Sequence, residues 1–258
     1  MLPVDERGSG EPVLLLHAGV ADRTMWAEHL DRLADAGFRA VAVDLPGFGE
    51  ARIAPGRQAP WEDVLETLPA LGIDRASLVG DSFGAAVALR VAAVAPAAVR
   101  SLMLVSPPPL GSEPSAELQA AWEAEEAALA RGDLDAAVAA VLDAWLLPDA
   151  PAALRERVAA MQRRAFVLQQ AATEVEEAPD PLERDPDALS RLTAAVLTLA
   201  GDGDMPDFKH GARQIAAAVP DGQSEILAGA GHLAPLETPD AFWAALRSHL
   251  ARVVASPR

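Results

Sequence analysis

The chain has 258 residues, 51% of them apolar, and sets 21 Lys and Arg against 38 Asp and Glu for a formal charge of −17 at pH 7. This length and apolar content suit one large domain with an insertion, while so acidic a surface repels a phosphate backbone and excludes nucleic acid as a partner. There is no cysteine, which excludes disulfides, thiol nucleophiles and thiolate metal sites.

Met1 to Arg7 is acidic where a secretory leader needs a cationic and then an apolar stretch, so a cytoplasmic location is expected. Arg90 and Pro96 interrupt the longest alanine and valine region, and no membrane partner is expected. Strands are predicted at 13–17, 39–45, 76–80, 101–106, 195–200 and 224–228. Several are apolar at successive positions, as strands covered on both faces should be. Helical stretches at 26–36, 61–71, 85–94, 208–219 and 239–253 each follow a strand and supply the crossovers of a parallel sheet, giving an α/β class with helices on both faces. From 107 to 191 the alternation stops. Helical runs at 116–131, 134–146 and 152–177 take over, punctuated by prolines 107, 108, 109, 148, 151, 179, 181 and 186. The expected organisation is a core of 1–107 and 191–258 with a helical cap insertion at 108–190.

Chemistry concentrates at Gly80-Asp81-Ser82-Phe83-Gly84, between a predicted strand and a predicted helix. A serine on such a tight turn has its hydroxyl lifted clear of the sheet, and the N–H of Phe83 lies at a helix N-terminus, where it can face an oxyanion. A serine hydroxyl needs a base to take its proton and an acid to orient that base. Of five histidines, His29, His210 and His249 fall on helices and His17 ends a strand, whereas His232 follows the last strand in a glycine-rich loop. Asp204 is the preferred acid, just past the strand at 195–200, with Asp202 and Asp207 as competitors. All three could instead cap the helix near Phe208, a role that suits Asp207 best. The order Ser82, Asp204, His232 is the one found when such a triad sits on a nucleophile elbow.

With His17-Ala18-Gly19, Asp22, Met25-Trp26, Asp44-Leu45-Pro46-Gly47-Phe48-Gly49, the elbow, Gly201 with Asp204, and Gly231-His232, the chain resembles the α/β-hydrolase superfamily over nearly its whole length. Within it, the resemblance is to serine esterases, lactonases and cofactor-free perhydrolases. The resemblance implies an α/β-hydrolase fold with a mostly parallel sheet of about seven strands, Val4 to Arg7 being the remnant of an opening hairpin. It implies an oxyanion hole from the N–H groups of Gly19 and Phe83, a structural His17, and no cofactor. Ala18 and Ala85 depart from glycines usual in the family, and Asp81 is an uncommon neighbour for the nucleophile, where an anion could raise the pKa of His232 or touch substrate. Haloalkane dehalogenases and epoxide hydrolases share the fold but use an aspartate nucleophile, so Ser82 argues against both.

Asp202-Gly203-Asp204 resembles the start of a calcium loop, but Pro206 and Arg213 fall where ligands belong, so no metal is implied. Trp122, Trp145, Met161 and Phe166 could line an acyl pocket or pack the cap on the core. Arg155, Arg157, Arg163 and Arg164 could steer a carboxylate substrate or form surface ion pairs. The expected activity is hydrolysis of a carboxylic ester or lactone of a small molecule through an acyl-enzyme. The alternatives are C–C bond hydrolysis of a β-diketone-like substrate or perhydrolysis with the same triad, or ligand binding without turnover.

Overall fold

The apolar runs become strands because each can be covered on both faces. In the computed structural model, which describes residues 1–255, the strands are β1 (Val4–Arg7), β2 (Pro12–Leu16), β3 (Arg39–Val43), β4 (Gly56–Gln58), β5 (Ala76–Asp81), β6 (Val99–Val105), β7 (Val175–Glu177), β8 (Ala195–Gly201) and β9 (Gly222–Leu227). Seven form one sheet in the order β1-β3-β2-β5-β6-β8-β9, parallel except for the antiparallel pair of β1 with β3. Alternate residues feed two cores. Leu15, Val79, Met103 and Leu197 pack with Trp26, Leu33 and Phe242 on one face. Leu14, Leu78, Leu102 and Val196 pack with Val64, Leu89 and Ile215 on the other. The edge strand β9 is exposed at four of its six positions.

The helices between strands include α1 (Ala27–Asp35), α2 (Pro60–Ala70), α3 (Phe83–Val94) and α8 (Pro206–Ala218), and α10 (Pro239–Ala255) follows the last strand. Before α1 the chain makes a 3₁₀ turn at Arg23–Trp26, capped by the Asp22 carboxylate accepting from the Thr24 N–H at 3.0 Å. Between β6 and β8 run α4 (Ala116–Ala130), α5 (Leu134–Trp145), α6 (Ala152–Gln170) and the short α7 (Pro181–Arg184), with the short α9 (Ala234–Glu237) after β9. Apolar side chains of this segment, among them Leu118, Val138, Val141 and Val158, join the first core cluster.

Two expectations change. The helix expected over 152–177 stops at Gln170, and Glu174 takes a left-handed backbone with φ 57° before the chain enters β7. There Val175–Glu177 pairs in parallel with Gly56–Gln58 as a separate two-stranded sheet, a strand signal too short for any period to announce. Residues 256–258 of the expected core lie outside the described residues. Among the described residues no helix is long and apolar enough to cross a membrane.

The strand order reverses beside β2, with β3 on one side and β5 on the other. A crevice at the carboxyl ends of strands is expected at such a switch point.

Candidate active site

Ser82 stands at that crevice, between β5 and α3, with φ 51° and ψ −110°. A non-glycine residue held there stores about 1–3 kcal/mol of strain. Its amide is tied to the Val105 carbonyl at 2.8 Å. The flanking glycines are required by close backbone approach. A Cβ on Gly80 would lie 2.3 Å from the Gly84 carbonyl oxygen, and one on Gly84 would lie 2.2 Å from that of Leu16. Phe83 opens α3, where an N–H has no partner one turn back within the helix. Gly19, in the loop after β2, lies against it, since a Cβ there would sit 3.4 Å from the Phe83 Cβ.

The loop carrying Gly19 is held by His17. Its Nε2 accepts the Leu45 N–H at 2.9 Å, so the proton is on Nδ1, which donates to the Ala18 carbonyl at 2.8 Å. Burial lowers the His17 pKa and keeps the ring neutral. Both nitrogens are occupied, which leaves this ring no proton to move.

His232 follows β9 and is 4% exposed; Asp204 follows β8 and is 5% exposed. Asp204 Oδ1 lies 3.0 Å from His232 Nδ1 and also accepts the Met205 N–H at 2.8 Å. The competing acids are engaged elsewhere. Exposed Asp202 accepts the Gly229 N–H, and Asp207 accepts from the backbone N–H and hydroxyl of Ser115 at the start of α4. Burial acts to raise the Asp207 pKa, but those bonds carry it below the usual value. Asp207 is therefore not the expected helix cap; that position belongs to Met205, which makes no side-chain cap bond.

The His232 loop is fastened from several sides. The Glu237 carboxylate accepts the N–H groups of Gly231 and Leu233 at 2.8 and 3.2 Å and that of Leu147 at 2.9 Å. Ser106, at φ 44°, donates its hydroxyl to the His232 carbonyl at 3.1 Å. Phe208 and Trp145 pack on the imidazole at centroid distances of 4.3 and 4.5 Å. Ser82 and His232 both border a cavity of about 470 Å³, within the range usual for small-molecule sites. The Ser82 hydroxyl makes no hydrogen bond to the imidazole among the described residues. Contacts of this type are often long in substrate-free enzymes and tighten in the Michaelis complex.

Gly19, Phe83, Trp122 and Trp145 also line this cavity. Met161 and Phe166 do not: both are buried in the core, with Met161 Sδ 3.5 Å from the Thr24 hydroxyl, because the buried face of α6 rests on the loop after β2. Asp81 also departs from expectation. It is fully buried, neither carboxyl oxygen has a partner, and it is absent from the cavity wall. Burial, reinforced by Asp204 and Glu237, pushes its carboxyl well above the usual carboxylate range. Asp81 is thus driven toward its neutral form and does not line the cavity.

The four arginines form ion pairs or backbone bonds away from the cavity: Arg155 with Asp143, Arg163 with Asp135, Arg164 with Asp22, and Arg157 with the Thr24 carbonyl. Sequence reasoning missed Phe208, Glu237 and Glu125. Phe208 lies four positions past Asp204 and Glu237 five past His232, so proximity in sequence to the expected acid and base was the available signal. Glu125, a cavity-lining residue, lies three positions after Trp122 on the same face of α4.

Residues 13–245 match the model of the alpha/beta hydrolase family, and the chain belongs to that family. It is 32% identical over 119 residues to a 2-hydroxy-6-oxo-6-phenylhexa-2,4-dienoate hydrolase of Comamonas testosteroni, a match spanning 43% of this chain and 42% of that relative. In structure it is similar to a thermophilic esterase from Thermogutta terrifontis, with TM-score 0.78, 26% identity and coverage of 98% of this chain and 93% of that one. The enol-lactonase of Burkholderia xenovorans LB400 superposes with the same TM-score at 21% identity over 97% of this chain and 96% of the other, a likeness of fold.

Proposed function

We propose that the chain is a serine hydrolase of carboxylic esters or lactones, with residues 108–190 acting as a cap over its substrate cavity. His232 takes the Ser82 proton through Nε2, and the serine oxygen attacks the carbonyl carbon. The N–H groups of Gly19 and Phe83 stabilise the oxyanion, each donor being worth about 3 kcal/mol of transition-state stabilisation. Asp204 holds the ring by Nδ1 and stabilises the imidazolium. His232 then returns the proton to the leaving group, and water activated by the same ring clears the acyl-enzyme.

The observation that carries this reading is the convergence on one cavity of a strained serine, an oxyanion loop stacked against Phe83, and an imidazole bonded to a buried aspartate. Resemblance to the thermophilic esterase supports ester chemistry. Ser82→Ala should lower kcat on short p-nitrophenyl esters by at least about 10⁴-fold with little change in Tm, and a fluorophosphonate should label Ser82 alone. Retained turnover with an unlabelled Ser82 would overturn the proposal.

A second reading, hydrolysis of a C–C bond beside a ketone, is favoured by the match to the dienoate hydrolase. The same triad serves both, and product analysis on paired ester and diketone substrates separates them.

A further inference from the structure

The wall of the cavity that holds Ser82 has a definite charge. Its lining includes no Lys or Arg and one carboxylate, Glu125. Glu125 is half-buried on α4 and takes no hydrogen bond or ion pair among the described residues. Burial, and then the adjacent Glu126, raise its pKa above the usual value, with no cation opposing them. Arg155, Arg157, Arg163 and Arg164 of the same helical segment are committed to other partners, and Arg131, at the end of α4, makes no ion pair with Glu125. Glu125 therefore faces the cavity uncompensated, in a chain whose formal charge of −17 supplies no general attraction for anions.

The rest of the lining is rich in π faces. Trp122 lies one turn before Glu125 on the same helix, with an exposure of 45% that leaves its ring open at the cavity wall. Trp145 and Phe208 line the cavity too. An aromatic face beside a carboxylate is the pairing that recognises ammonium groups: the ring quadrupole attracts a cation, and the carboxylate neutralises it. A substrate carboxylate would instead meet Glu125 without a cation to offset the repulsion.

On the reading that Ser82 is the nucleophile, we propose that the substrate is an ester or lactone bearing a cationic ammonium group, held by Glu125 and Trp122, and that carboxylate-bearing substrates are discriminated against. Glu125 thus determines specificity, and its charge disfavours a carboxylate-bearing, dienoate-like substrate for this chain.

Three thioesters of matched size test this: butyrylthiocholine, its uncharged carbon isostere, and a butyrylthio-carboxylate of similar length. The wild-type protein should rank them cation, neutral, anion by kcat/KM, with about tenfold or more between the extremes. Glu125→Gln should lower the cation-to-neutral ratio about tenfold, and Glu125→Arg should favour the anion. A wild-type preference for the carboxylate, or an equal loss on all three in Glu125→Gln, would overturn the proposal.

Calorimetry with choline and its carbon isostere on Ser82→Ala makes the decision independent of turnover. Tighter binding of choline that disappears in Ser82→Ala/Glu125→Gln supports the cation site even if Ser82 fails to label; equal binding of the pair defeats it even if Ser82 labels fully.

Discussion

The carboxyl rim of the sheet and the helical segment between β6 and β8 are built on different terms. At the rim, backbone meets backbone: added Cβ atoms on Gly80, Gly84 and Gly201 would lie 2.1–2.3 Å from carbonyl oxygens of Gly84, Leu16 and Ala230. In the helical segment, Gly111 and Gly132 sit in turns with nothing within 4 Å of such an atom, and cohesion comes from apolar side chains such as Val138 and Val141 joining the core. Backbone contact demands one residue type, whereas side-chain packing accepts several. The rim is therefore specified tightly and the helical segment loosely.

The sharpest way to break this contrast is to put a methyl group on each kind of glycine. In Gly84→Ala, the new Cβ must displace the end of β2, including the carbonyls of Leu16 and His17, and with them the loop that presents Gly19. A loss of about 3 kcal/mol or more is expected, together with loss of ester turnover. Gly132→Ala meets open space and bears only the left-handed backbone at φ 69°, costing about 1–2 kcal/mol. Urea denaturation of both variants checks this, and equal midpoints would erase the distinction.

That distinction also explains what was legible in the sequence. The elbow could be read because its glycines and serine sit at fixed offsets between a strand and a helix, and His232 because no other histidine follows a strand in a glycine-rich loop. The acid was narrowed to three aspartates by position. What sets Asp204 apart is spatial, since Asp202 turns out to Gly229 and Asp207 to Ser115, partners 27 and 92 residues away. The cavity wall was half legible. Trp145 and Phe166 are both bulky, both on helices of the insertion and both buried, yet only Trp145 faces the cavity. The rotation of each helix against the sheet decides this, and α6 is rotated by its contacts with the loop after β2. Asp81 reads as an anion in sequence, because nothing in a linear chain shows the burial that raises its pKa in place.

Buried histidines sharpen the comparison from the polar side. At the rim, His17 has both ring nitrogens in hydrogen bonds. On α10, away from the rim, His249 is 3% exposed with neither nitrogen partnered. Burial, with the nearby Arg252 guanidinium adding to it against an opposing Asp221, pushes the His249 imidazole down to about 4. Its unfolded counterpart titrates near 6.5, so between these values the unfolded chain binds the extra proton and stability falls as pH falls. The neutral ring's contribution is complete above about pH 6.5 and lost toward pH 4. About 2 kcal/mol should disappear between pH 7.5 and 5 from this group. His249→Leu should flatten the dependence of Tm on pH across that window; an unchanged slope would show that other groups set it.

The smallest effects test the seam between the two regions. Arg164 reaches from α6 to Asp22, whose carboxylate is buried beside the loop after β2 and pairs with it at 3.0 Å. Arg163, its neighbour in sequence, pairs instead with Asp135 on α5, both side chains being well exposed within the helical segment. Solvent can replace most of what Arg163 offers, so Arg163→Ala should cost less than about 0.5 kcal/mol. Arg164→Ala deprives a buried carboxylate of a charged donor while Thr24 continues to satisfy its other oxygen, and about 1 kcal/mol is expected. Because Asp22 caps the turn that leads from Gly19 into α1, Arg164→Ala should also raise KM for esters, whereas Arg163→Ala should leave it alone. If the two variants matched in both midpoint and KM, Arg164 would be one more surface ion pair and the seam would rest on apolar packing alone.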